Sequence, residues 1–129
     1  MKSILIVDGD ERVGQLFAEV FASGDWTATM YSDGRRAGEH LRGSAHYDAV
    51  LVGYRFEGAD GVDLIKEIRA LHHRQHVPIV MVTGIAEVTV MAAALTAGAD
   101  DVLYKPADVA IVVATVNKCI ERRRKHQDT

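Results

Sequence analysis

The sequence lacks the paired cysteines that stabilise many small secreted proteins. Of its 129 residues, only one is cysteine and only two are proline. A single cysteine excludes an intramolecular disulfide framework, and a chain of this length buries enough apolar surface to fold without one. Cys119 lies among apolar residues of a predicted helix, so we expect it to be a core or boundary residue in the reducing cytosol, and not a nucleophile.

Long apolar runs and glycine-rich nucleotide-binding loops are also absent. No segment approaches the roughly 20 consecutive apolar residues that span a bilayer. The chain does not open on a charged leader followed by a long apolar stretch, which predicts a cytoplasmic protein. Neither a Walker loop nor a Gly-x-Gly-x-x-Gly fingerprint follows a predicted strand, which argues against nucleotide binding.

Charge of one sign does not dominate the chain. The formal net charge of -3 gives no general attraction for nucleic acid. Residues 122–129 begin with a basic run and are predicted to form a short C-terminal tail after a single domain of residues 1–121. Cations at a helix end complement the helix dipole, so the run indicates a solvated helix end, with neither nucleic acid nor membrane as a partner.

Short apolar runs alternate with helical patterns along the whole chain. The runs predict five strands, at residues 3–7, 26–31, 49–52, 79–82 and 102–104. Such alternation is typical of an α/β domain. We expect a flavodoxin-like, doubly wound (βα)5 fold, with a five-stranded parallel sheet of order 2-1-3-4-5 and helices on both faces.

Apolar stripes predict which helix faces are buried. In the fourth helix the inward stripe is Val88, Met91 and Leu95, and Gly98 supplies a left-handed stop. In the first helix it comprises Val13, Leu16, Phe17, Val20 and Phe21, and in the last helix Val109, Val112, Val113, Val116 and Ile120.

Polar side chains that could form a site follow three of the predicted strands. Asp8 and Asp10 come after the first strand, Thr83 after the fourth and Lys105 after the fifth, whereas the third strand is followed by Gly53. One polar residue at a strand end is usually a cap or part of a turn. The carboxyl ends of parallel strands meet at one edge of the sheet, so this set predicts a single pocket.

The motifs around these residues resemble those of response-regulator receiver domains over essentially the entire chain. They are ILIVDGD at 4–10, YDAVLVG at 47–53, GADG at 58–61, PIVMVTG at 78–84, GADD at 98–101 and YKP at 104–106. The resemblance implies that Thr83 and Lys105 correspond to the residues that contact the phosphoryl group. It also implies a two-component or phosphorelay context, with a histidine kinase, another regulator or an output protein as partner.

Three positions depart from the family's pattern. The aspartate that accepts phosphate corresponds to Gly53, and the second acid of the metal-binding pair corresponds to Gly9. The aromatic switch residue corresponds to Val102. Aspartyl phosphorylation needs a carboxylate nucleophile, which glycine lacks. We therefore expect a non-enzymatic, pseudo-receiver signalling module that is not phosphorylated and works by protein–protein interaction.

The remaining charges predict how such a pocket is neutralised. Asp8 and Asp10 face Lys105, and Arg55 lies two residues beyond Gly53. Our hypothesis is that Lys105, helped by Arg55, pairs with Asp8 in place of a metal ion. No cofactor is expected, and at most a weak magnesium site at Asp8, because Mg²⁺ dehydrates reluctantly and needs carboxylate ligands.

Two other functions stay open at this stage. A substitute carboxylate, Glu57 or Asp60, could accept the phosphoryl group, although helix capping is the simpler role for Asp60. Asp8 and Asp10 also resemble the nucleophile and general acid of haloacid-dehalogenase phosphatases.

A surface on the last two helices and the fifth strand is a candidate for homodimerisation by family analogy. We expect Val90, Ala94, Val102 and Ile111 to face outward there.

Overall fold

A parallel five-stranded sheet forms the centre of the molecule. The computed structural model describes residues 1–57 and 59–127. The strands lie in the order β2-β1-β3-β4-β5, as predicted, and every neighbouring pair is parallel. Their bounds are β1 Lys2–Val7, β2 Trp26–Tyr31, β3 Ala49–Val52, β4 Ile79–Thr83 and β5 Asp101–Tyr104.

Within the described residues, five α-helices connect and follow the strands. Three of them begin at an aspartate whose side chain accepts backbone N–H groups of the first turn: Asp10, Asp33 and Asp60. A short 3₁₀ turn, His72–Arg74, precedes β4. The helices are α1 Glu11–Ser23, α2 Gly34–Leu41, α3 Gly61–Ala70, α4 Val88–Ala97 and α5 Val109–Gln127.

The sheet is buried on both faces, as expected for a doubly wound domain. Leu5 and Val50 point into the core that α2, α3 and α4 cover, whereas Ile6 and Leu51 point to the opposite core beneath α1 and α5. Cys119 belongs to this second core and is 1% exposed. Burial, and then the carboxylate of Asp100, raise the pKa of its thiol, in agreement with the predicted core role. None of the helices in the described ranges is long and apolar enough to cross a membrane.

The predicted orientation of α4 is wrong. Val90 and Ala94, expected at the surface, are buried, while Val88 and Leu95, expected inside, are 80% and 45% exposed. All ten residues of α4 are uncharged, so the apolar pattern does not define one inward face. In the neighbouring strand β5, Val102 is also buried, 8% exposed, contrary to its expected place at the surface.

The first and last helices also differ in part from their predicted patterns. In α1, Phe17 and Phe21 are buried as predicted, but Leu16 is 51% exposed. In α5, Val112 and Val116 are buried, and Ile111 is exposed as predicted. The helix continues to Gln127, so residues 122–127, which the sequence pattern separates as a tail, extend the domain's last helix. Residues 128 and 129 lie outside the described residues.

A network centred on Arg69 closes the edge of the domain opposite the strands' carboxyl ends. The guanidinium donates to the carbonyl oxygens of Gly98 and Val77, at 2.9 and 2.7 Å, and to Asp100 Oδ2 at 3.1 Å. Asp100 also accepts from the Ile79 backbone N–H and from Arg123. Burial, and then the charge of Arg123, lower the pKa of Arg69 to about 10, so Arg69 is cationic at neutral pH.

Candidate functional site

The carboxyl ends of β1, β3, β4 and β5 bring the predicted pocket residues together. The Gly53 N–H donates to the carbonyl of Val7 at 2.7 Å, which places position 53 beside the end of β1. The Lys105 N–H donates to the carbonyl of Thr83, also at 2.7 Å, which joins the ends of β4 and β5. An open cleft above these ends is lined by Asp8, Gly9, Asp10, Tyr54, Arg55, Thr83, Gly84, Ile85 and Lys105.

An ion pair between Asp8 and Lys105 crosses the cleft. Lys105 Nζ lies 2.9 Å from Asp8 Oδ2, and the side chains of Asp8 and Lys105 are 6% and 27% exposed. The other oxygen, Oδ1, accepts the Asp10 backbone N–H at 2.9 Å. Both carboxylate oxygens of Asp8 therefore have partners within the chain. One partner is Lys105, the cation that the charge balance of the sequence predicted.

Asp10 serves as the N-cap of α1. Its Oδ1 accepts the backbone N–H groups of Arg12 and Val13, at 3.0 and 3.4 Å. Capping holds this carboxylate at the start of the helix. A haloacid-dehalogenase mechanism would require Asp10 to act as a general acid next to Asp8, and a carboxylate engaged in capping a helix does not resemble one.

Gly53 leaves space in the cleft floor, whereas Gly9 does not. A Cβ built at position 53 would meet Asp8 first, at 3.4 Å, an ordinary contact distance. A Cβ built at position 9 would collide with the backbone carbonyl oxygen of Arg55. The loop after β3 thus lies directly against Gly9, and a side chain at position 9 would require that loop to move.

Thr83 and Val102 are both fixed by their surroundings. Thr83 is 1% exposed, and its Oγ1 accepts the backbone N–H of Ile85 at 3.0 Å. Val102 pairs in register with Met81 and packs in the core beneath α4. Its β-branched side chain has little rotamer freedom, in contrast to an aromatic ring at the surface.

The loop after β3 distributes its charged residues over two different clefts. Arg55 is exposed and lines the same cleft as Lys105, but it makes no ion pair within residues 1–57 and 59–127. Glu57 and Asp60 line a second cleft, between the starts of α2 and α3. Gly58, between them, lies outside the described residues. Asp60 caps α3 by accepting the Asp63 N–H at 2.9 Å.

A magnesium site requires several oxygen ligands in near-octahedral geometry. Positions 9 and 53 have no side chain to supply one, Asp10 caps a helix and Asp8 binds Lys105. Over the two described ranges, no three His, Cys, Asp or Glu side chains form a set that could hold a metal ion. The residues around the cleft therefore do not fit a tightly held divalent cation.

Comparison with known proteins places this fold and cleft in a family. The model of the family described as "Response regulator receiver domain" matches residues 4–117. The chain belongs to this family. The transcriptional regulatory protein BaeR of Escherichia coli O6:H1 is 36% identical over 124 residues, which cover 96% of the chain and 50% of BaeR. The regulatory protein AtoC of Escherichia coli K12 is 35% identical over 106 residues, which cover 82% of the chain and 22% of AtoC.

Solved receiver structures agree with the fold. A CheY-like receiver domain protein from Methanospirillum hungatei JF-1 superposes with a TM-score of 0.91 at 20% identity, over 98% of each chain. The receiver domain of the sensor histidine kinase PA1611 from Pseudomonas aeruginosa PAO1 superposes with a TM-score of 0.84 at 28% identity. That match covers 93% of this chain and 98% of that one, and the structure has a magnesium ion coordinated in its active site cleft.

Membership in the receiver family establishes a coarse function. Receiver domains are signalling modules of two-component systems, and they interact with histidine kinases and output domains. The chain spans half the length of BaeR and about a fifth of AtoC, so it corresponds to one domain of those regulators.

Sequence reasoning missed two sets of contacts, one at the site and one at the opposite edge of the domain. The approach of the Arg55 carbonyl to Gly9 joins residues of two different loops, and no local pattern signals it. The hydrogen bonds from Arg69 to the carbonyls of Val77 and Gly98 likewise depend on the tertiary fold. For the approach of Arg55 to Gly9, the sequence offered one signal, a glycine where the family has an acid. Glycine is the usual residue where another stretch of backbone approaches closely.

Proposed function

We propose that this chain is a receiver-type module that transmits signals by protein contacts without being phosphorylated. The observation that carries the proposal is Gly53 at the end of β3, beneath the Asp8–Lys105 ion pair. Phosphoryl transfer to a receiver needs a carboxylate oxygen in line with the donor. At this position the chain has a hydrogen atom instead.

The positions of the nearby acids support this proposal over a substitute acceptor. Glu57 and Asp60 border the cleft beside α2, whereas Thr83 and Lys105 border the cleft above β4 and β5. A phosphoryl group on either acid would lie away from the hydroxyl and ammonium groups that could stabilise it. Asp60 would in addition have to give up its capping bond to α3.

Lys105 has the role of a built-in cation in this proposal. Crowded carboxylates repel one another, and a metal ion ordinarily relieves that repulsion. With position 53 uncharged, one ammonium group 2.9 Å from Asp8 neutralises the buried carboxylate. We therefore propose a domain that needs no magnesium ion, and in which the buried Val102 does not act as a rotamer switch.

Acetyl phosphate provides the direct test of the proposal. After incubation with acetyl phosphate and MgCl₂, we expect the intact mass of the wild-type chain to stay unchanged. As a positive control, a receiver domain that retains the phosphate-accepting aspartate is treated in the same reaction and should gain about 80 Da, the mass of one phosphoryl group. A stable adduct on any acid of the wild-type chain would contradict the proposal, and peptide mapping would identify that acid.

Magnesium binding tests the role of Lys105. We expect a magnesium dissociation constant weaker than about 1 mM for the wild-type chain by isothermal titration calorimetry, because Mg²⁺ must displace an internal ammonium group. Lys105→Met removes that competitor from Asp8 and should tighten binding by about tenfold, or roughly 1.4 kcal/mol. Sub-millimolar affinity of the wild-type chain, or unchanged affinity of Lys105→Met, would argue against an internal cation.

A second copy of the chain is one partner that we propose. The surface formed by α4, β5 and α5 exposes Val88, Leu95 and Ile111, at 80, 45 and 55%. Val88 and Leu95 thus join Ile111 as the residues that could form a homodimer contact, in place of the buried Val90, Ala94 and Val102. Uncharged α4 does not oppose such a contact by like-charge repulsion.

A further inference from the structure

The last turns of α5 concentrate positive charge in a chain that is otherwise acidic. Residues 118–125 contain five cations and one anion, a net charge of +4. Because the whole chain has a net charge of -3, the remainder carries -7. Charge separated in this way produces an electrostatic field that steers a partner of opposite charge to one end of the molecule.

The partly buried carboxylate of Asp100 holds this basic end against the domain. Arg123 Nε lies 2.7 Å from Asp100 Oδ1, and the Arg69 guanidinium binds the other oxygen of Asp100 at 3.1 Å. The side chain of Asp100 is only 14% exposed, so solvent screens these pairs less than it screens surface pairs. The turn that contains Arg123 is therefore docked on the domain, and the cations around it are presented on an ordered helix.

Three of these cations form a line on the outer side of α5. Lys118, Arg122 and Lys125 are all exposed, and their spacing of four and three residues places them on one stripe of the helix. The stripe begins with exposed Ile111 and Ala114, and its basic part is about 10 Å long at 1.5 Å per residue. One N–H of Arg122 donates to the Cys119 sulfur at 3.5 Å, which leaves the outer part of the guanidinium at the surface.

We infer that this basic stripe is a docking surface for an acidic helix of a partner protein. A helix with carboxylates at the same spacing would place them opposite Lys118, Arg122 and Lys125. A long polyanion fits less well, because DNA or an anionic membrane would extend beyond the stripe toward a body of charge -7. The stripe also carries only one large apolar side chain, Ile111, too little to insert into a bilayer.

An acidic helix as the partner deepens the proposed function and rests on it in one respect: the chain must act by binding another protein. Contacts between exposed charges are weakened by salt. Binding should therefore be strongest at low ionic strength and decline as salt is added.

A synthetic acidic helix can serve as the probe. We would measure the anisotropy of a fluorescein-labelled peptide of about 20 residues, built from Glu and Ala with Glu at i, i+4 and i+7. Simultaneous charge reversal by Lys118→Glu, Arg122→Glu and Lys125→Glu should weaken binding at least about tenfold, or 1.4 kcal/mol. The matched control reverses three exposed cations on α2 and α3, by Arg35→Glu, Arg36→Glu and Lys66→Glu. We expect the control to change binding by less than about threefold, since only the general field is altered.

Several outcomes would overturn the inference. Equal loss in the two triple variants would show a response to net charge alone. Tighter binding to a 20-base-pair DNA duplex, or to vesicles of phosphatidylserine and phosphatidylcholine, would indicate a different class of partner, and salt-sensitive self-association that Lys118→Glu abolishes would indicate a second copy. None of these measurements involves acetyl phosphate, so a failure here is distinct from a failure of the phosphorylation test.

Discussion

Replacing Arg69 with alanine is expected to lower the free energy of unfolding by about 2–4 kcal/mol, below the upper end for a fully buried ion pair because Arg69 and Asp100 are partly buried and Asp100 keeps Arg123 as a partner. The guanidinium connects α3 to the carbonyls of Val77 and Gly98 and to Asp100. Its removal leaves partly buried carbonyl oxygens without their donors, and each fully buried acceptor that loses its donor costs about 1–3 kcal/mol. Urea denaturation followed by circular dichroism, or by fluorescence of the buried Trp26, would measure the loss.

Two variants make the Arg69 result specific. Arg36→Ala removes an exposed guanidinium from α2 and should change stability by no more than about 0.5 kcal/mol. Arg69→Lys retains the charge but not the planar fork of donors, so it should recover only part of the stability. A loss below about 1 kcal/mol in Arg69→Ala would mean that water replaces the guanidinium at these carbonyls.

The second large effect is expected at Gly61, the first residue of α3. A Cβ at this position would collide with the carbonyl oxygen of Gly53 and lie 2.8 Å from Cε of Met81. Alanine normally stabilises a helix relative to glycine by up to about 1 kcal/mol. Here we expect Gly61→Ala to destabilise the domain instead, by about 2–3 kcal/mol, because overpacking against backbone cannot be relieved by a side-chain rotation.

Gly53→Ala is the matched control for Gly61→Ala. The two positions face each other across the loop after β3, but a Cβ at position 53 has its nearest neighbour at 3.4 Å. We expect its stability to stay within about 1 kcal/mol of the wild-type value. If both variants fold with wild-type stability in the same urea titration, the loop can shift more easily than the close contacts indicate.

The architecture was predictable because the strands are short apolar runs and most helices have a charged outer face. The sheet order and the buried positions Phe17, Phe21, Val112 and Val116 follow from those patterns. The orientation of α4 was not predictable in the same way. With no charged residue in that helix, Val88 and Val90 are equivalent by hydropathy, and only packing against α3 and β5 distinguishes them.

The candidate site was predictable to the level of strand ends but not of contacts. Parallel topology brings Asp8, Gly53, Thr83 and Lys105 to one edge, so their proximity follows from the order of the elements. The pairing of Lys105 with Asp8 was a hypothesis from charge balance, and the structure contains that ion pair. The same hypothesis assigned Arg55 as a helper, but Arg55 makes no ion pair among the described residues. Its exposed guanidinium stays hydrated, so it gains less from an ion pair than a buried charge does.

The ionic triplet of Arg69, Asp100 and Arg123 bears on where this domain can be shortened. A truncation after residue 121, the boundary that composition suggests, would delete Arg123 and leave Asp100 with a single guanidinium. The shortened protein would keep all five strands but lose the Arg123–Asp100 ion pair that attaches its final helix to the domain. Any design that borrows this domain should therefore retain the helix at least through Arg123.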